Sequence, residues 1–461
     1  MPLLTLASIA AITGGELRMG RPDQTFSHFH FDSRKLRPGS LFFALPGKVH
    51  DGHTYLSRVA ALPGCGAVVA REKVPPELKI PHILVDDPLA AVQTMAARLR
   101  ERFRKTRFIA VTGSAGKTTT KEFIYQILAA GRPAFRSQGN WNNWIGLPFS
   151  LLMMQGREEA AVFEMAMSDP GIGEIDRLAD ILRPDVAVIL NALPVHLEYL
   201  KTVDRVARAK CEIMGHLGAD GVAVINGDYP ELVQAAQEKP GRKVFFGTGP
   251  QVNSVVIREI VREERGSRIT IDFFGIPRSF RAPGIHRLHA ENLASAIVVC
   301  LMAGLRVWEV EEALTNLTPV EGRGVSRIVR GATVIDETYN ANPAAVKRVL
   351  SWIASDWPAG AVAVLGDMLE LGDQERSLHE EVGRHFAGLN FARLVAVGDR
   401  ARWIAAAAEA AGFPAERVNL AATAEEAGRL LRPLVQPGVT VLFKGSRGVG
   451  LERAITEFAH E

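Results

Sequence analysis

Short apolar runs rich in β-branched residues recur along the whole chain, separated by stretches whose apolar positions repeat with helical spacing. After a first helix within the N-terminal MPLLTLASIAAITGG, the runs Ser27–Phe31, Ser40–Ala44, Ala67–Ala70 and His82–Val85 alternate with turn clusters such as Arg37-Pro38-Gly39 and Pro46-Gly47. They predict a small α/β unit. An amphipathic helix, Leu89 to Arg102, leads into Phe108–Val111, Ala160–Phe163, Asp185–Leu190 and Gly221–Ile225. These runs are apolar throughout, as strands of a parallel sheet covered on both faces are. Val255–Val261 and Arg268–Phe273 then read as a hairpin, and a helix from Ala290 to Leu305 closes this part. Beyond it, Ala332–Ile335, Ala361–Leu365, Leu394–Val397 and Val439–Phe443 alternate with helices in a second doubly wound unit. The expected class is α/β with three domains, at residues 1–88, 89–319 and 320–461.

Composition narrows the function. The 461 residues carry 54 Lys and Arg against 51 Asp and Glu, a net charge of +3, without a basic run or an aromatic-interleaved basic stripe. That balance excludes a nucleic-acid binder and suits small anionic substrates. No uninterrupted apolar stretch reaches the roughly 18 to 20 residues of a membrane span. Cys65, Cys211 and Cys300 are scattered without a CxxC, which points to buried thiols in a reducing cytoplasm.

The densest chemistry lies in FIAVTGSAGKTTTKEF, Phe108 to Phe123. A buried strand runs into Thr112-Gly113-Ser114-Ala115-Gly116, and Lys117 opens a helix. Glycines let backbone N–H groups close on an anion, the helix start adds unpaired donors, and the lysine adds full charge. Thr118 stands where such loops place a hydroxyl on Mg²⁺, and Thr119 continues the first turn. Sites in open α/β sheets lie beyond the carboxyl ends of the strands, where Glu164, Asn191 with His196, and Asn226 with Asp228 follow successive runs. Glu164 reads as a Mg²⁺ ligand facing the loop. In GNWNNWIGLP, Asn140 and Asn143 are candidates for a polar ligand, with an Asx-rich turn equally open. On the helix expected over Thr202–Gly218, Lys210 falls within the apolar stripe of Val203, Val206, Ala207, Ile213, Met214 and Leu217. Burial there would leave a neutral, nucleophilic amine able to take up CO₂ as a carbamate; a stem that packs while its head reaches water is the open alternative. In the last region Arg323 lies between glycines, placed to swing onto a nucleotide. Asp336, Glu337, Asp367, Asp399 and Lys444-Gly445-Ser446-Arg447 recur at one sheet edge, and Tyr339, Asn340 and Asn342 form a turn. Ser33 lies at a strand end in the first region.

Taken together, DSRKLRPGSLFFALPGKVHDGH, VTGSAGKTTTKE, GNWNNWIGLP, VHLE with ARAKCEI, DETYNANP, LGDMLELG and FKGSRG resemble the Mur ligases, in order and across all three regions. The resemblance implies a P-loop-type central domain that binds ATP and a Rossmann-like last domain that brings in an amine. The first domain would hold the uridine diphosphate end of its substrate, around Ser33. It implies UDP-N-acetylmuramoyl-tripeptide and D-alanyl-D-alanine as partners, joined by a cytoplasmic monomer through an acyl phosphate. It assigns Lys117 and Thr118 to ATP phosphates and Mg²⁺, with two ions expected. Glu164 and His196 become metal ligands, Lys210 the carbamylated lysine, and Asn292, Arg323 and Asp336 nucleotide contacts. Ala115 stands where the family usually has asparagine. A ligase of the same fold on another carboxylate, such as a folate or a different muramyl intermediate, and an inactive nucleotide-binding homologue are the alternatives.

Overall fold

The computed structural model describes residues 4–47, 50–167, 173–194, 197–249, 252, 254–263, 266–357 and 360–460. It is a three-domain α/β protein with three mostly parallel sheets. In the first, β1 (Glu16–Met19), β2 (His28–His30), β3 (Ser40–Phe43), β4 (Gly66–Ala70) and β5 (His82–Val85) lie in the order β1-β5-β4-β3-β2. β1 runs antiparallel to β5, and the other pairs are parallel. Side chains alternate across the sheet: Leu41 and Phe43 enter one core, and Phe42 enters another with Leu56 and Val59. No apolar run announces β1, because its side chains stay largely in solvent.

The central sheet contains β6 (Arg107–Thr112), β7 (Ala134–Arg136), β8 (Ala160–Glu164), β9 (Val186–Ile189), β10 (Val222–Asn226), β11 (Arg242–Gly247), β12 (Val255–Glu263), β13 (Gly266–Phe273) and β14 (Ile276–Pro283). Their order is β14-β13-β12-β11-β10-β9-β6-β8-β7. β6 is parallel to β8 on one side and to β9 on the other. The chain therefore winds away from β6 in both directions, and such a switch point opens a crevice at the strand's carboxyl end. The expected hairpin gains a third strand, β14, whose mostly exposed residues form no apolar run. The helix expected over Thr202–Gly218 is α-helical from Val203 to Cys211 and tightens to a 3₁₀ turn over Glu212–His216. There the Glu212 carboxylate accepts from the N–H groups of Gly173 and Asp176, at 2.9 and 3.1 Å, covering the start of the helix Glu174–Leu182.

The first two sheets share one apolar core. Phe149, in the helix Gly146–Leu152, has its ring centre 4.9 Å from Phe31 and 5.5 Å from Phe43. The chain forms two compact units: Met1–Ile260 with Arg268–Arg281 and Asn292–Asn316, and Leu317–Glu461 with Val261–Ser267 and Ala282–Glu291.

In the second unit, β15 (Val325–Val329), β16 (Ala332–Glu337), β17 (Ala361–Gly366), β18 (Phe391–Val397), β19 (Val418–Ala421) and β20 (Thr440–Lys444) take the order β15-β16-β20-β17-β18-β19. Only β15 pairs antiparallel. Ala363 and Leu365 face one core, Val362 and Val364 the other, so both faces are covered. Three ionisable side chains meet inside: Lys444 Nζ donates to Glu337 Oε2 at 2.9 Å, and His289 Nε2 lies 3.1 Å from Glu337 Oε1. Burial alone would raise the Glu337 carboxyl, but the charge of Lys444 and the contact with His289 outweigh it and hold the pKa at about 2. A folded pKa below the ordinary 4.5 stabilises the native state above pH 4.5, and that contribution is lost as the pH falls through about 2. Glu337→Gln, which leaves the buried Lys444 without its counter-charge, should cost about 3–5 kcal/mol in urea unfolding at neutral pH. The gap between variant and parent should narrow as the pH is lowered from about 4.5 towards 2.

Candidate active site

β6 delivers the chain to the crevice at Thr112, and the helix Lys117–Ala129 carries it away. Between them Gly116 adopts φ +79°, and a Cβ there would sit 2.4 Å from Asn292 Oδ1, so backbone conformation and close approach both demand glycine. Asn292 thus packs directly on the phosphate loop. The loop is braced from β9. Asn191 Oδ1 accepts from the N–H groups of Ser114 and Ala115, both at 2.8 Å, and its Nδ2 donates to Ala115 O at 3.1 Å. Leu193 N–H donates to Ser114 Oγ at 2.9 Å. Lys117 Nζ donates to Gly113 O at 2.8 Å, which keeps the ammonium against the loop. The Thr119 side chain is buried, and its N–H belongs to the first helical turn, where backbone donors lack helical partners.

Thr118 Oγ1 donates to Glu164 Oε2 at 2.7 Å, and Asn142 Nδ2 donates to Glu164 Oε1 at 2.8 Å. A hydroxyl, a carboxylate and an amide thus converge beside the anion loop. Lys210 is 2 % exposed, and no carboxylate among the described residues pairs with it. Burial, and then the like charge of Lys117, push its amine down to about 7. A stem packed with its head in water is therefore not the arrangement found. His196 lies outside the described residues.

Other candidates are committed to local structure. Asn143 Oδ1 accepts from Ile145 N–H and Gly146 N–H at 3.2 and 2.9 Å, and Asn342 caps the helix Pro343–Asp356 through Ala345 N–H at 2.9 Å. Asn140 is exposed on its loop. Asp367 accepts from the N–H groups of Arg400 and Ala401 at 2.9 and 2.7 Å, which makes it a helix cap. In the same unit the Arg323 guanidinium stacks 4.0 Å above the Tyr339 ring, between Gly322 and Gly324 at φ +69° and +71°. Asp336 accepts from Thr338 Oγ1 at 2.7 Å. The Asn340 carbonyl takes Lys444 Nζ at 3.1 Å. In the first domain Ser33 is buried in a short turn capped by Asp32. Lys35 of that turn stands 5.7 Å from the Trp141 ring centre, so the amide-rich loop and this turn are neighbours.

The Mur ligase middle domain family matches residues 111–300, and the family described as Mur ligase, glutamate ligase domain, matches residues 324–447. The chain belongs to the Mur ligase family. The UDP-N-acetylmuramoyl-tripeptide--D-alanyl-D-alanine ligase of Bacillus subtilis is 34% identical over 460 residues, 98% of either chain. Among solved structures, MurF from Acinetobacter baumannii superposes with a TM-score of 0.87 at 29% identity over all of both chains. MurF from Thermotoga maritima in complex with ADP gives 0.80 at 29% identity, covering 94% of this chain and 97% of that one.

One residue of this Mur ligase's site, Asn142, escapes a reading from sequence, and another, Asn191, is read only in outline. Asn142 lies among amides that the sequence does not tell apart, and Asn191 is marked only by its place at a strand end. Asn191→Leu removes the acceptor shared by two loop N–H groups. It should weaken ATP binding by about 10-fold in calorimetric titration, the scale of about one to two lost hydrogen bonds. The fold should stay intact.

Proposed function

We propose that this Mur ligase joins D-alanyl-D-alanine to UDP-N-acetylmuramoyl-tripeptide at the expense of ATP, in cytoplasmic synthesis of a peptidoglycan precursor. The substrate specificity is that carried in the names of its relatives, the first of which aligns over nearly the whole length of both chains. The observation that carries the chemistry is the Thr118–Glu164 pair, 2.7 Å apart at the mouth of a glycine loop that ends in Lys117. Hydroxyl and carboxylate oxygens are the hard donors Mg²⁺ prefers, and backbone N–H groups with an ammonium suit triphosphate. The donor set fits a magnesium nucleotide.

In this reading the tripeptide's terminal carboxylate oxygen attacks the γ-phosphorus of ATP, and ADP departs. The amine of D-alanyl-D-alanine then attacks the acyl phosphate carbon, loses a proton, and inorganic phosphate leaves. Phosphate is the leaving group, so the protein needs no nucleophile of its own. Lys117 and the loop N–H groups offset charge on the transferred phosphoryl group, and Asn142 keeps Glu164 oriented. Thr118 and Glu164 would hold one Mg²⁺; His196, on family resemblance alone, and the carbamate of Lys210 would hold a second. The ions neutralise phosphate charge when bound. Lys210 suits carbamate formation because its amine is buried and pushed down to about 7, which leaves an uncharged fraction to react with CO₂. Asn292, Arg323 and Asp336 complete the nucleotide contacts, Ser33 the uridine diphosphate site, and Tyr339, Asn340 and, through the turn that its helix cap holds in place, Asn342 the dipeptide side. The domains divide at residues 1–88, 89–319 and 320–461, and the chain acts as a monomer. No helix among the described residues is long and apolar enough to cross a membrane.

Phosphate release from ATP and Mg²⁺ should require both UDP-N-acetylmuramoyl-tripeptide and D-alanyl-D-alanine. Stimulation by glutamate or diaminopimelate in place of the dipeptide would overturn the assignment. If Lys210 acts as a carbamate, the rate should fall several-fold in CO₂-depleted buffer and return on adding bicarbonate, whereas Lys210→Ala should be inactive with or without it.

A further inference from the structure

Lys121 lies one helical turn beyond Lys117, on the inner face of the same helix, and it is fully buried. A buried ammonium is costly unless its protons find partners. Here Nζ donates to Ser137 O at 2.8 Å and to Gly139 O at 3.4 Å, and the Glu122 carboxylate lies 3.1 Å away. These two carbonyls frame Gln138, just after the edge strand β7 ends at Arg136. Outside, the same segment borders a hollow of about 440 Å³ lined by Glu122, Tyr125, Arg136, Gln138 and Gly139. Gln138, Gly139 and Asn140 are all exposed, and among the described residues nothing lies within 4 Å of where a Gly139 Cβ would sit. The anchor for this segment is on the inside.

The segment leads to the metal-site carboxylate by two routes. Ser137 Oγ accepts the backbone N–H of Glu164 at 3.2 Å. A few residues on, Asn142 Nδ2 donates to the Glu164 side chain at 2.8 Å, and the Asn142 carbonyl accepts from Ala166 N–H at 2.9 Å. We infer that Lys121 is a positioning residue: by tying the segment Ser137–Gly139 to the helix that carries Thr118, it sets where Asn142 meets Glu164. The structure aims it away from the phosphate loop and into the protein.

The inference rests on the proposed ligase reaction, which supplies its assay. A parent protein that releases no phosphate with both substrates present would defeat that reaction, whereas the comparison among variants of an active parent judges Lys121. Lys121→Met keeps the length and apolar stem but removes the donors, and Asn142→Ala removes the far end of the same path. A displacement of about 1 Å at such a site costs up to about 100-fold in rate. Each single variant should lower kcat by at least about 10-fold and raise the Mg²⁺ concentration needed for half-maximal rate, with the KM for D-alanyl-D-alanine little changed. The double variant should be no slower than the slower single one, because both interrupt one path. Losses that multiply in the double variant, or a Lys121→Met protein with parental kcat and Mg²⁺ requirement, would overturn the inference. Thermal melting separates unfolding from mispositioning. Should Lys121→Met fail to fold, Lys121→Gln, which retains an N–H for Ser137 O, should lose less than Asn142→Ala, and losses that multiply when the two are combined would overturn the inference.

Discussion

Thr118 stands near the start of a helix and Glu164 at the end of a strand, 46 positions apart in sequence, and the pairing of β6 with β8 is what brings their oxygens within 2.7 Å. In that parallel register Val111 lies opposite Glu164, and Met165 N–H donates to Val111 O at 2.9 Å. The loop therefore leaves β6 level with the point where β8 presents its carboxylate. Strand side chains alternate, so a slip of one residue would turn Glu164 to the other face and remove it from the loop. The fully apolar faces of both strands pin that register: Phe108, Ala110, Ala161 and Phe163 belong to one core. Apolar burial, which is non-directional, thus fixes a directional polar contact.

The same division decides what was legible beforehand. Strands buried on both faces, and the glycine loop, leave an unmistakable trace, and Lys210 announced itself as a charge inside an apolar stripe. Edge strands β1 and β14 did not, because most of their residues face solvent, and β7 did not, because it is only three half-buried residues long. Among polar residues the difficulty is of another kind. Asn143, Asn342 and Asp367 end on backbone N–H groups at helix starts, while Asn142 and Asn191 serve the site. A side-chain oxygen that caps a helix and one that braces a loop have the same chemistry and the same preference for turns. For Asn191 only the position of the N–H groups it meets makes the difference, and for Asn142 only the carboxylate its Nδ2 reaches; both are properties of tertiary structure.

Buried charge is used twice, in opposite ways. In the second unit Glu337 and Lys444 neutralise one another, with His289 against the carboxylate's other oxygen, so the cluster is a closed set. At the phosphate loop Lys117 and Lys210 are two cations close enough to depress one of them. Such an arrangement is tolerated because burial already favours the neutral amine at Lys210.

The common core of the first two domains has a geometric corollary. Phe149, held between Phe31 and Phe43, ties the helix after the amide-rich loop to the first sheet, and Trp141 completes the cluster 5.7 Å from Phe31. These rings pack in one core, so a tilt of the first sheet against the central one would open a void among them. The pair behaves as a fixed caliper, with its jaws at the Ser33 turn and at the glycine loop, and its gap is set by aromatic packing rather than by whatever is placed between them.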